Sequence, residues 1–271
     1  MNLVPWLDGS TVSYCRRVAR PDPSLLAPFL SAPERAAVLV DFDGTLAPIV
    51  ESADEAVPLP DAPGVLAALS EVYALVGVVS GRPAAFLARH LPDSLALTGL
   101  YGLEAVRGGE IVRHPRAEAW ERVVDSVAEV AARSGRADLE VEHKGLSLTL
   151  HYRTHRDDAG PVLAWATAEA GRTGLALRAA KMSVELHPPV AVDKGTVVEE
   201  LANGLAAVCF VGDDVGDLPA FDALDRLAAR GMSTLRVAVG TSESVSEIVE
   251  RADVLVDGPN GALAFLRALL P

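Results

Sequence analysis

A chain of 271 residues, half of them hydrophobic, can bury one large core or two modest ones and is too apolar to be disordered. Its 37 acidic residues against 24 basic ones leave a net charge of −13. That field repels phosphate backbones and anionic lipid, so neither nucleic acid nor a membrane surface is expected as a partner, although a local cation can still invert it in one cleft for a small anion.

Residues 1 to about 33 carry five prolines and read as an N-terminal extension with a short helix at Ser24–Leu30. They lack a basic region followed by a long apolar stretch, so no secretory leader is expected, and no run of about 18 apolar residues predicts a membrane span. Short apolar runs then alternate with helical ones. Strands are predicted at Ala36–Asp41, Ala74–Ser80 and Leu95–Leu100, with helices at Pro63–Val72 and Pro83–His90. The pattern changes between residues 110 and 188. Helices at Arg116–Arg133 and Gly160–Thr173 accompany alternating strands at Leu139–Glu142, Ser147–Tyr152 and Ser183–His187. The first pattern resumes with helices at Lys194–Asn203, Asp217–Ala229 and Ser244–Arg251 and strands at Ala206–Gly212, Leu235–Val239 and Asp253–Val256. The expectation is a doubly wound, Rossmann-like α/β core over residues 34–109 and 189–271, interrupted by an α+β module over residues 110–188. Cys209 lies in an apolar run and reads as a buried hydrophobe, while Cys15 lies in a polar stretch. Nothing suggests a disulfide framework, and a reducing cytoplasm is the expected setting.

Four short stretches carry chemistry. In "VLVDFDGTLAPIV", Asp41 and Asp43 sit two apart where a buried strand ends. Residues i and i+2 of an extended chain point the same way, so both carboxylates can face one site with Phe42 turned to the core. Such a pair can divide into a nucleophile and a proton carrier, or simply form an Asx-type turn, with Gly44 permitting the turn and Thr45 offering a hydroxyl and an N–H. In "VCFVGDDVGDLPAF", Asp213, Asp214 and Asp217 repeat the acidic feature at another strand end, which suits a hard divalent cation; Asp217 also reads as a cap for the next helix. In "VVSGRPAAF", Ser80, Gly81 and a helix start can make an anion site or, equally, an ordinary strand–turn–helix junction, and Arg82 can reach the anion or pair with a nearby acid. Lys194 opens a helix, where the dipole disfavours a cation; taken alone it reads as a solvated lysine, and its position makes more sense if it faces a phosphate or the acid cluster.

The order DxDGT, SGR, K, GDDxxD resembles that of the haloacid dehalogenase superfamily of aspartate-nucleophile phosphatases, from about Ala36 onward. The resemblance implies that Asp41 attacks phosphorus and that Asp43 protonates the leaving alcohol and later activates water. It implies Mg²⁺ held by Asp41, the Asp43 carbonyl and Asp213, supported by Asp214 or Asp217, with Ser80 and Lys194 on the phosphoryl oxygens. An α+β insertion between SGR and the lysine is similar to a cap of that superfamily's second type. "DFDGTLAPIV", with Pro48, together with "GLYGLEAVRGGEI", "VEHKGLSLTLHYR" and "VELHPPVAVDKG", resembles the trehalose-6-phosphate phosphatase family. That resemblance implies a sugar phosphate substrate, with Glu104 reaching it and Glu142, Lys144, Arg153 and Glu185 binding the sugar. Read without it, the cap charges form a cross-strand ladder on a solvated face. The fourth motif departs from the family's GDDxTDE at Gly216 and Leu218, which leaves the three aspartates intact. Alternatives are a phosphatase of another metabolite, such as sucrose phosphate or mannosylglycerate phosphate, and a noncatalytic Mg²⁺-binding phosphoacceptor. His151 and His155 lie too far apart on a strand for a zinc site.

Overall fold

The computed structural model describes residues 22–50, 55–134, 140–152, 159–180, 182–240 and 246–271. Most of the N-terminal extension, with Cys15, lies outside the described residues, as do Leu139, Arg153, His155 and the start of the helix expected from Ser244.

Eight strands form the larger sheet: β1 (Ala36–Val40), β2 (Leu75–Val79), β3 (Ala96–Gly99), β4 (Glu104–Arg107), β5 (Glu110–Arg113), β10 (Ala207–Gly212), β11 (Ser233–Gly240) and β12 (Val254–Asp257). Their order is β12-β11-β10-β1-β2-β3-β4-β5. All pairs from β12 to β3 are parallel, and β3, β4 and β5 run antiparallel. The alternation in β1 explains the layers. Ala36, Val38 and Val40 pack with α1 (Pro23–Ser31), α2 (Ala62–Ser70), α3 (Ala84–His90) and α10 (Gly258–Ala268) on one face. Ala37 and Leu39 pack with α7 (Lys194–Leu201), α8 (Leu218–Ala229) and α9 (Ser246–Arg251) on the other. Phe42 is fully buried in the first of these clusters, as its position in the aspartate pair predicts.

A second sheet, of order β6-β7-β9-β8, contains β6 (Glu140–His143), β7 (Leu148–His151), β8 (Ala176–Ala180) and β9 (Ser183–His187). Leu148, Leu150, Val184 and Leu186 pack against α5 (Glu121–Arg133) and α6 (Ala159–Thr173). One face of this sheet is therefore apolar and helix-covered, while the alternate residues form a polar face.

Four differences from the sequence reading have physical causes. The helix expected at Arg116–Arg133 is divided into α4 (Pro115–Glu118) and α5, because a turn at Ala119–Trp120 brings the Trp120 ring against Gly174. The strands β4 and β5 join through Gly108 and Gly109, both at positive φ (61° and 82°), a two-residue hairpin that only glycines form readily. This hairpin keeps residues 110–113 in the larger sheet, so the insertion begins after them. Strand β8, "ALRAA", has little strand propensity of its own and forms by pairing with β9. Helix α10 starts with "GPNG", which reads as a turn. No helix among the described residues is long and apolar enough to cross a membrane.

Candidate active site

Strands β1 and β10 are parallel neighbours, with Val40 opposite Val211, so the two acidic loops leave the sheet side by side. Asp41, Asp213 and Asp217 are buried there, with carboxylate oxygens within 4.8 Å of one another. Gly44 lets the loops meet: it has φ +78°, and a Cβ on it would run into the Asp213 carboxylate. Lys194, 2% exposed, projects from the start of α7 into the acids, with Nζ 2.7 Å from Asp41 Oδ1 and 2.6 Å from Asp217 Oδ1. Burial pulls the Lys194 pKa down, but Asp217 and Asp41 outweigh it and hold the ammonium well above its ordinary range. Burial raises Asp41, and the repulsion of Asp217, Asp213 and Asp214 adds to the rise against the pull of Lys194.

Asp217 does not cap the helix that follows it. Its Oδ2 accepts from the backbone N–H groups of Asp213 (2.8 Å) and Asp214 (3.2 Å), so it braces its own loop. The side chain of Asp214 accepts from Gly216 N at 2.8 Å.

Beyond β2, Arg82 grips both oxygens of Asp43, Nε to Oδ2 and Nη2 to Oδ1 at 2.7 Å each. Of its two expected roles, Arg82 takes the pairing with an acid. Ser80 Oγ accepts from Arg82 N at 3.2 Å, and Gly81 lies against the Tyr101 ring. Leu100 and Tyr101 both adopt positive φ (49° and 57°), a strained pair held by Leu100 N donating to Arg82 O and Tyr101 N to Ser80 O, 2.9 Å each. Glu104 lies outside the cleft lining: its Oε2 accepts from Ala84 N at 3.0 Å, serving the N-terminus of α3. Thr45 is fully buried and also off the lining, with no partner for its Oγ1 among the described residues.

The polar face of the smaller sheet closes the cleft from the other side. Cross-strand register sets Glu142, Thr149, Glu185 and Arg178 in one row across all four strands. Glu142 accepts from His151 Nε2 at 2.8 Å and lies 3.4 Å from Lys144 Nζ. Burial acts to raise the Glu142 pKa, but the His151 hydrogen bond, Lys144 and Arg82 bring it down to about 2. Arg178 donates to Glu185 Oε2 at 3.2 Å and to Val192 O at 3.3 Å, and it stacks 4.1 Å over the Tyr101 ring. Glu142, Thr149 and Glu185 of that row line a cleft of about 900 Å³, open solvent at its mouth included, so the row is not a solvated ladder. That cleft brings together Asp41, Asp43, Ser80, Gly81, Arg82, Lys194, Asp213, Asp214, Glu142, Lys144 and Glu185. Sequence reasoning missed Tyr101, Thr149, His151 and Ser183 as lining residues. The period-2 alternation of "LSLTLHYR" carried the signal for Thr149 and His151, since both share the polar face with Glu185 and Ser183.

The residues present fit a hard divalent cation. Three buried carboxylates converge with the Lys194 ammonium among them, and oxygen is the donor such ions take. The Asp217 oxygens are committed to Lys194 and two backbone N–H groups, so Asp41 and Asp213 suit direct coordination, with Asp217 holding from behind.

A parallel sheet with an acid centre at its carboxyl edge, covered by an inserted α+β lid, defines a haloacid dehalogenase-like fold of the capped type. The structure superposes on the C-terminal domain of Candida albicans trehalose-6-phosphate phosphatase with a TM-score of 0.74 at 22% identity, covering 92% of this chain and 96% of that one. In sequence it is 34% identical over 206 residues to an uncharacterized glycosyl hydrolase of Mycobacterium tuberculosis, covering 70% of this chain and 15% of that protein. It is 34% identical over 204 residues to the trehalose-phosphate phosphatase of Mycobacterium ulcerans, covering 70% of this chain and 52% of that protein. The chain thus spans about half the length of the second relative and far less of the first. The trehalose-phosphatase family model matches residues 39–254, and the chain belongs to that family.

Proposed function

We propose that the chain is a Mg²⁺-dependent phosphatase that converts trehalose 6-phosphate to trehalose and phosphate through an aspartyl-phosphate on Asp41. One observation carries the reading: a single cleft joins the buried acid–lysine centre of the larger sheet to a wall of charged and hydroxyl side chains on the smaller one. The first half suits phosphoryl transfer, and the second suits a ligand with many hydroxyls.

In this reading an Asp41 carboxylate oxygen attacks phosphorus, and the bond from phosphorus to the sugar oxygen breaks. Asp43 protonates that oxygen; for this, one of its own oxygens exchanges Arg82 for the ester. Asp43 then takes a proton from the water that attacks the acyl phosphate, releasing phosphate and restoring Asp41. Bound at Asp41, Asp213 and the Asp43 carbonyl, Mg²⁺ would offset phosphoryl charge. Lys194, Ser80 and the Gly81 N–H hold phosphoryl oxygens, with Thr45 behind the loop. Residues 114–188 act as a cap that excludes bulk water, and Glu142, Lys144, Arg153 and Glu185 bind the sugar.

The test is phosphate release from trehalose 6-phosphate with and without Mg²⁺, beside a panel that includes sucrose phosphate and mannosylglycerate phosphate. Release that needs Mg²⁺ and favours trehalose 6-phosphate supports the reading. Preference for another ester overturns the substrate, and a stable phosphoprotein without turnover overturns the catalysis.

A further inference from the structure

Among the described residues, two buried polar atoms in the cap wall lack partners. Thr149, 3% exposed, has no hydrogen-bond partner for Oγ1, and Glu185, 2% exposed, has none for Oε1. Both residues line the cleft, and they lie directly opposite each other on β7 and β9. Leaving such groups unpaired is unfavourable, and a fold rarely keeps two side by side without a use.

Their chemistry is complementary to a single group. An ionised carboxylate oxygen only accepts, whereas a threonine hydroxyl can donate. A ligand hydroxyl can donate to Glu185 Oε1 and accept from Thr149 Oγ1 at once, which uses both of its own functions. Neither partner is loose. Glu185 is fixed through Oε2 by Arg178, which is itself held by Val192 O and the Tyr101 ring. Thr149 is β-branched and sits on an inner strand, between β6 and β9.

We propose that Thr149 is a specificity-determining residue: with Glu185 it forms a subsite that reads one sugar hydroxyl as donor and acceptor together. The proposal rests on the sugar phosphatase reading and adds to it a residue and a rule. A substrate with hydrogen or fluorine in place of that hydroxyl loses the contact, because fluorine cannot donate to Glu185.

Thr149→Val keeps the shape and deletes the hydroxyl; Thr149→Ser restores it. With the preferred sugar phosphate, the valine variant should raise KM about tenfold with kcat held within about twofold, and the serine variant should recover most of the loss. Across a set of singly deoxygenated or fluorinated substrates, one position should weaken the wild type more than it weakens Thr149→Val, which keeps only the Glu185 half of the contact. The thermal midpoint separates this role from packing: removing an unpartnered buried hydroxyl leaves the midpoint equal or higher, whereas losing a structural hydrogen bond lowers it. An unchanged KM, or a lowered midpoint with no analogue-specific effect, overturns the proposal. If the wild type prefers an ester other than trehalose 6-phosphate, the substrate reading falls, and the same comparison on that ester decides the role of Thr149.

Discussion

Replacing Lys194 by methionine tests how the acid centre is held together. The ammonium is 2% exposed and bridges two carboxylates at 2.6 and 2.7 Å. Methionine retains the stem and removes the charge, leaving Asp41, Asp213 and Asp217 together without it. Removing one partner of a buried ionic network costs about 3–5 kcal/mol, because the remaining charges stay desolvated and unpaired. In a chain of this size that is a fall in thermal midpoint of roughly 5–9 °C. Urea denaturation at neutral pH measures the loss directly. The explanation also predicts a sign reversal. In the wild type, Asp217→Asn breaks an ion pair and destabilises. In the Lys194→Met background the same change removes a surplus negative charge, while the amide oxygen still accepts from Asp213 N and Asp214 N, so it should be neutral or stabilising. Additive effects, or a loss below about 1 kcal/mol for Lys194→Met, would refute the view that the lysine neutralises the centre.

Asp41→Asn should lower phosphate release about ten-thousandfold or more while leaving the circular dichroism spectrum and cooperative unfolding intact, since an amide oxygen can still accept from Lys194. Gly44→Ala should destabilise by about 2 kcal/mol from its positive φ alone, and the clash with Asp213 should raise the Mg²⁺ needed for half-maximal activity about 10- to 100-fold. Glu142 makes stability pH-dependent. Its pKa lies at about 2 in the fold against an ordinary 4.5, so between those values the unfolded chain binds the proton and the folded chain does not. The contribution, at most about 3 kcal/mol, is present above pH 4.5 and is lost as pH falls toward 2. Denaturation of wild type and Glu142→Gln between pH 3 and 6 should show a gap that shrinks with acid; a constant gap would exclude the ion-pair explanation.

The parts of the fold that the sequence revealed are those set by local pattern. The apolar runs that became β1, β2 and β10 are buried on both faces and carry their strand signal within themselves. What stayed hidden was set by partners distant in the chain. Strand β8 exists because β9 pairs with it, and Glu104 serves α3 because the β4–β5 hairpin folds back along β3. The site followed the same division. Asp41, Asp43, Lys194 and the GDD acids announce themselves by charge placed at strand ends. Thr149 and His151 are ordinary residues in an alternating strand, and only the face they share makes them part of the cleft.

That face explains how a capped fold can divide chemistry from recognition. The carboxyl edge of the larger sheet brings Asp41, Asp213 and Lys194 together, groups that suit a phosphoryl unit and a cation. In the proposed reading, binding of a polyhydroxylated ligand falls to Glu142, Thr149 and Glu185 on the smaller sheet and to Lys144 just after β6, with His151 holding Glu142 in place. The two halves are nevertheless tied by Arg178, which reaches from β8 to the Tyr101 ring and Val192 O while holding Glu185. Tyr101 in turn lies against Gly81 and 5.7 Å from Lys194 Nζ. A ligand that engages Glu185 therefore acts on a side chain one contact removed from the loop of Ser80 and Gly81. Substitutions at Arg178 should consequently alter kcat as well as KM, in contrast to Thr149, whose loss should appear in KM; equal effects of both on KM alone would show that the tie carries no coupling.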